Sequence, residues 1–163
     1  MRCTRVFTAT KMFEYMEERR TNHMSNPNTG IGGPGFVALQ VRDVAAAADF
    51  YEHKVGLKRD PLVFPGAVAF QSPPIPFAVI SAAAPPRLDL DSLPTPGAGI
   101  SLWFKAADGQ AAYNALSEAG VTIIKPPFDG PFGRTFVFAD LDGYPITVYE
   151  QDTPIADRLP PPR

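Results

Sequence analysis

The residues able to do chemistry in this chain are few and scattered. Its only histidines are His23 and His53, its only cysteine is Cys3, and no His pair stands at i, i+4 spacing. A divalent metal needs several imidazole, thiolate or carboxylate donors converging on one point, and neither a His pair nor a Cys cluster supplies them. Asp140 and Asp142 stand two apart in DLDGYPITVYEQ (140–151). In a DxDG turn such carboxylates accept from local backbone amides, and the remaining ligands of a calcium loop do not follow. Ser101 has no neighbouring histidine to activate it, and Cys3 lies outside the patterned region, so nucleophilic catalysis lacks its second member. Gly-Gly-Pro-Gly (32–35) precedes a strand-like run and carries no following lysine, which argues against a phosphate cradle. His53 falls at the end of a helical run, where its ring suits the helix C-terminus. What stands out is the only tryptophan, Trp103, two residues before Lys105 in SLWFKA (101–106).

The elements that position these residues come in two copies. FVALQVRDVAAAADFY (36–51) and SLWFKAADGQAAYNAL (101–116) align at an offset of 65, pairing Asp43 with Asp108 and Ala47 with Ala112. In each, a short alternating run leads to an Asp, and the Asp leads to a helical pattern. Asp43 and Asp108 suit the N-cap, and Gly56 and Gly120 suit the helix ends. In the second copy Ala112, Ala115, Leu116 and Ala119 recur as one apolar stripe. Further on, PFAVIS (76–81) matches PITVYE (145–150) at an offset of 69, and AVAF (67–70) and TFVF (135–138) precede them. Strands are predicted at 36–42, 67–71 and 76–82, and again at 100–106, 134–139 and 145–150. Shorter ones are predicted near 58–63 and 121–125. The fold class is α+β, with tandem βαβββ modules at 36–84 and 99–151 and a Pro-rich linker at 85–98. A flexible extension (1–35) and a tail (152–163) flank them. Residues 1–23 read equally as an extension ahead of Met24 or as an arm that docks on a partner subunit.

Composition sets outer limits. The chain has 163 residues, 45% hydrophobic and 20% charged, as a globular protein does. A net charge of −2 gives no basic field for nucleic acid or an acidic membrane. No apolar run reaches the roughly 18 residues of a membrane span, and the N-terminus lacks the apolar core of a signal peptide. A single cysteine closes no internal disulfide and fits a reducing compartment. The expectation is a cytoplasmic protein with neither nucleic-acid nor membrane partners. Its 19 prolines gather in loops such as SPPIP (72–76) and KPPFDGPFG (125–133).

The repeated βαβββ pattern resembles the vicinal oxygen chelate superfamily, which includes glyoxalase I, extradiol dioxygenases and bleomycin-resistance binding proteins. The resemblance covers about 35–151. VALQVRDVAAAADFYEHKVGL (37–57) is similar to the family's opening strand and helix, and PFGRTFVFADLDGYPITVYE (131–150) to its closing hairpin. The closing turn departs from the usual Asp-Pro-Asp-Gly-Asn at Leu141 and Tyr144. The resemblance implies that the modules form a curved mixed sheet around a cavity. In metal-dependent members the ligands are His, Glu or Gln, one from the first and one from the last strand of each module. Carried over residue by residue, those positions are Phe36, Ala78, Ser101 and Thr147. Two are hydrocarbon and two are neutral hydroxyls, poor ligands for a first-row divalent metal. The resemblance thus implies no metal and no other cofactor here. It is strongest to the metal-free bleomycin-resistance type, whose members are homodimers with the ligand groove at the subunit interface.

Strand alternation sorts the rest. Val37, Leu39 and Val41 belong under the first helix, leaving Phe36, Ala38 and Gln40 on the concave side. Leu102 and Phe104 likewise leave Ser101, Trp103 and Lys105. Ile146 and Val148 match Phe77 and Val79, leaving Ala78 and Thr147, with Ile80 and Tyr149 further along. The expected ligand-binding residues are Phe36, Ala38, Gln40, Ala78, Ser101, Trp103, Lys105, Thr147 and Tyr149, with no catalytic residue and no metal. Trp103 either walls a pocket or fills the space a metal takes in relatives. Arg134 and the PPFDGPFG loop either cover the entrance or are turn chemistry alone. The expected function is metal-independent binding of a small molecule, an antibiotic or an aromatic natural product, with Lys105 favouring an anionic or flat neutral one. The alternative is a lyase or dioxygenase-type enzyme of the same superfamily. It would be either a metal-dependent glyoxalase or a metal-free enzyme using Lys105, Tyr149 or Glu150 for proton transfer. A structural subunit with a filled cavity is the third class.

Overall fold

A computed structural model describes residues 34–84, 87–130 and 132–150. The extension and tail of the sequence reading lie outside the described residues, apart from 34 and 35, and so do Cys3 and His23. Two compact units divide the chain between Leu90 and Asp91.

The first unit opens with β1 (Val37–Val41), which Asp43 ends. The Asp43 backbone is extended, and its Oδ1 accepts from the amides of Ala45 and Ala46 at 2.9 and 3.0 Å. Those are unpaired donors of the first turn of α1 (Val44–His53), so the cap fixes where the helix begins. At its far end His53 Nδ1 donates to Asp49 O at 3.0 Å, and Gly56 leaves at φ +84. Then come β2 (Lys58–Arg59), β3 (Ala67–Gln71) and β4 (Phe77–Ser81). The sheet order is β1-β4-β3-β2, with β1 parallel to β4 and the rest antiparallel. Beneath α1 lie Val41, Val79, Phe70 and Phe77, against which Tyr51 packs with ring centroids 4.8 Å from Phe77 and 5.9 Å from Phe70. Arg59 joins β2 to the helix through Asp49 and, at 2.7 Å, Glu52.

The second unit repeats the plan. Its elements are β5 (Leu102–Ala106), α2 (Gly109–Glu118), β6 (Ile123–Gly130), β7 (Gly133–Ala139) and β8 (Pro145–Glu150), in the order β5-β8-β7-β6. Asp108 caps α2 by accepting from Ala111 N at 2.8 Å. Gly120 at φ +71 closes it with the two bonds of a Schellman motif, Val121 N to Leu116 O and Gly120 N to Ser117 O, both 3.0 Å. The α+β class and the paired βαβββ plan are therefore as the repeats imply.

Three local differences have physical causes. The inward stripe of α2 is buried Gly109 and Leu116 with half-buried Ala112 and Tyr113, not the alanine-led one, because Ala115 and Ala119 are exposed. Tyr113 brings a ring edge to Phe136 at 5.6 Å, and that larger surface sets which side of the helix turns inward. Next, β6 continues to Gly130 through Pro126 and Pro127, which were expected in a loop. An edge strand tolerates residues without N–H donors, and the register slips between Lys125 and Phe128 at those prolines. Finally, β2 stops at Arg59, and β5 starts at Leu102 after an exposed Ile100 and Ser101.

Two glycines bring the ends of β7, β8 and α2 together. The amide of Gly109 donates to Glu150 Oε2 at 2.8 Å, and a Cβ there would sit 2.8 Å from Arg134 O. Gly133, at φ +91, passes so close to β8 that a Cβ would lie 2.1 Å from Glu150 O. Gly133→Ala is therefore expected to cost more than about 3 kcal/mol of stability, from clash and left-handed strain together. At Gly56 a Cβ meets open space, and Gly56→Ala should cost only the backbone term of about 1–2 kcal/mol. Urea denaturation midpoints of the two variants check the contrast.

Candidate functional site

In each unit one helix covers one face of the sheet, and the other face holds the residues that alternation assigned to ligand binding. In the first unit the register places Ala38, Ala78 and Ala69 side by side across β1, β4 and β3. Three methyl groups leave a shallow trough, and Phe64, from the β2–β3 connection, lies in it with 4% of its surface exposed. Phe36, Leu62, Ala67 and Ile80 pack around this cluster. Ala78 is wholly buried. Gln40, on the next row, donates from Nε2 to Ala84 O at 3.2 Å. The first unit thus brings Phe36, Ala38 and Ala78 together under a side chain of its own.

The equivalent row of the second unit is Trp103, Thr147 and Val137, continued by Lys125 on β6. The next row is Lys105, Tyr149, Thr135 and Phe128. The counterpart of Phe64 is Phe132, in the turn between β6 and β7, but here there is no trough to enter. Its ring meets Trp103 and Tyr149 edge-on at 5.7 and 6.0 Å, and Trp103 meets Tyr149 at 5.9 Å. Trp103 keeps 44% of its surface exposed. The Lys125 ammonium stands 3.7 Å from the centre of the Phe128 ring. Trp103, Lys105, Thr147 and Tyr149 therefore share one face, while Ser101 precedes the strand and is exposed. Arg134 is turned the other way, bonded to Asp129 at 3.0 Å and to Gln110 Oε1 at 3.2 and 3.3 Å.

Phe132 and Phe128 were expected only as members of the PPFDGPFG loop at the entrance, and Lys125 was not among the residues expected here. Phe132 was within reach: the offset of 68 that aligns AVAF with TFVF also aligns Phe64 with Phe132. The other two needed the slipped register of β6, which no periodicity announces.

The side chains at the four metal positions do not match a divalent ion. Phe36 and Ala78 carry no donor atom and lie in the apolar cluster under Phe64, while Ser101 and Thr147 offer one neutral hydroxyl each. Among the described residues, one group of three potential metal donors lies together, Asp49, Glu52 and His53 on the outside of α1. Arg59 already pairs with both of its carboxylates. Asp140 makes the tight turn it was assigned, its Oδ1 accepting from Asp142 N and Tyr144 N at 3.0 and 2.9 Å. Tyr144, one of the two departures in that turn, is buried against Gly97 of the connecting segment. The other, Leu141, is exposed.

Two βαβββ units with one strand order, each with a sheet face that no helix of the described residues covers, define a paired-module class of α+β protein. The chain belongs to the Glyoxalase/Bleomycin resistance protein/Dioxygenase superfamily, which matches residues 33–148. Among solved structures, a protein of unknown function from Agrobacterium tumefaciens str. C58 is similar, with TM-score 0.58 and 29% identity over 71% of this chain and 91% of that one. A member of the glyoxalase/bleomycin resistance protein/dioxygenase superfamily from Sphaerobacter thermophilus DSM 20745 gives 0.55 and 26%, over 74% and 98%. TnmS3, an antibiotic binding protein from Streptomyces sp. CB03234, gives 0.58 and 23%, over 76% and 99%, a likeness of fold. No curated protein matches the chain. No helix among the described residues is long and apolar enough to cross a membrane.

The two phenylalanines should differ sharply on truncation. Phe64→Ala is expected to cost about 3–5 kcal/mol, as for a buried ring whose space stays empty. Phe132→Ala, which removes a half-buried ring, should cost about 1 kcal/mol. Chemical denaturation of both variants measures the difference.

Proposed function

We propose that this protein binds a small molecule without a metal, on the face of the second unit that carries Trp103 and Tyr149. The observation behind this reading is the trio of Trp103, Phe132 and Tyr149, mutually edge-on, with Trp103 exposed and the other two half-buried. A filled cavity would bury such rings, as the first unit buries Phe64. Aromatic walls with a few polar groups beside them are the usual composition of a small-molecule site. The donor-poor residues at Phe36, Ala78, Ser101 and Thr147 support binding without a metal. TnmS3 binds an antibiotic, and its likeness in fold makes an antibiotic or aromatic natural product a reasonable first class of ligand. The same reading takes the protein to be a cytoplasmic homodimer, as its resemblance to the metal-free binding branch implies.

Because Trp103 is the only tryptophan, its emission reports on the site directly. Titration with a panel of small aromatic antibiotics should change that emission saturably for at least one compound, and a chelator should leave the curve unaltered. A flat response across the panel would overturn the binding reading. Stoichiometric nickel, iron, zinc or manganese in the purified protein would overturn the metal-free part.

A further inference from the structure

The face that carries Trp103 has a charge as well as a shape. Its two rows run Trp103–Thr147–Val137–Lys125 and Lys105–Tyr149–Thr135–Phe128. Each row has an aromatic ring at one end and an ammonium group at the other, and the second row reverses the first. Four strands span about 14 Å between the outer pair, so the two lysines rise from opposite edge strands of a platform one polycyclic ring system wide, the Lys125 ammonium reaching over the Phe128 ring. No aspartate or glutamate occupies these eight positions. The acidic residues nearest in sequence are turned off this face, Asp129 toward Arg134 and Glu150 toward the amide of Gly109. This positive face belongs to a chain whose net charge is −2.

Resting on the reading of this face as a ligand site, we infer that its ligand is a planar aromatic anion. A flat π system matches the exposed ring of Trp103 and the half-buried ring of Tyr149, which stack or meet edges with another ring more favourably than with an aliphatic chain. A carboxylate, sulfonate or phenolate on its rim meets Lys105 or Lys125. A cationic ligand of the same shape meets two lysines and, at these eight positions, no carboxylate. Thr147 and Tyr149 stand on β8, between the strands that carry the two lysines, and their hydroxyls suit carbonyl or hydroxyl substituents on the rings. The first unit has no such character at the equivalent positions. There Ala38 and Gln40 stand for Trp103 and Lys105, and Phe64 supplies a ring from within the chain.

Four probes separate the elements of this assignment: naphthoate, naphthylmethanol, naphthylmethylammonium and cyclohexanecarboxylate. Trp103 emission and calorimetry on the full chain read their binding. Naphthoate is expected to bind most tightly, and to weaken about threefold to tenfold in Lys105→Met or Lys125→Met and with added salt. Naphthylmethanol should be unaffected by either change, which also shows that the variants are folded. Equal binding of naphthoate and naphthylmethanol, insensitive to salt, would overturn the anionic assignment and leave the small-molecule reading standing. Cyclohexanecarboxylate binding as well as naphthoate would overturn the aromatic one. Tighter binding of a single-stranded oligonucleotide than of naphthoate would assign the face to a macromolecule instead. No binding by any of the three naphthalenes would remove both the assignment and the reading beneath it.

Discussion

A four-stranded sheet has two faces, and among the described residues each unit of this chain has one helix. Alternation of side chains puts a continuous apolar set on the face beneath that helix, and hydrophobic burial there holds each unit together. The opposite face does not use the same solution, because no helix among the described residues covers it. What lies on that face is decided by residue size along a single row of neighbouring strands.

In the first unit the row is three alanines, and the missing volume is returned by one phenylalanine from the adjoining hairpin. Closing the face this way needs no partner and leaves no ring exposed. The second unit keeps the hairpin phenylalanine but replaces the alanines with an indole, a threonine and a valine. Phe132 then rests against ring edges rather than on the sheet. That turn is held in place from below: Gly133 lets it pass within touching distance of the Glu150 carbonyl, and Arg134 ties it to α2. A chain built from one repeated plan thus carries a sealed surface in one copy and an open aromatic one in the other.

Much of this was legible in the sequence. The Asp–helix–Gly punctuation, the offsets between copies and the alternation of β1, β5 and β8 all follow from local rules, and the observed caps and strands obey them. Less legible was whatever depends on volume or on slipped register. Phe64 and Ala69 look unremarkable until the strands are laid side by side and the alanines line up. Lys125 and Phe128 sit either side of two prolines, and the sequence rule that prolines break strands hid their place on the sheet. The alanines of α2 promised a stripe that Tyr113 displaced, since a small side chain has little surface with which to compete.

The alanine row also governs how the chain can change. Any enlargement at Ala38, Ala69 or Ala78 must lift Phe64 out of its trough, and overpacking of that kind costs about 1–3 kcal/mol. Trp103, Thr147 and Val137 are exposed or half-buried, and exchanges among side chains there disturb far less packing. Heritable variation is consequently tolerated unequally by the two halves. The first copy is a keel, fixed by the ring it has swallowed; the second is free to change its surface without endangering the fold.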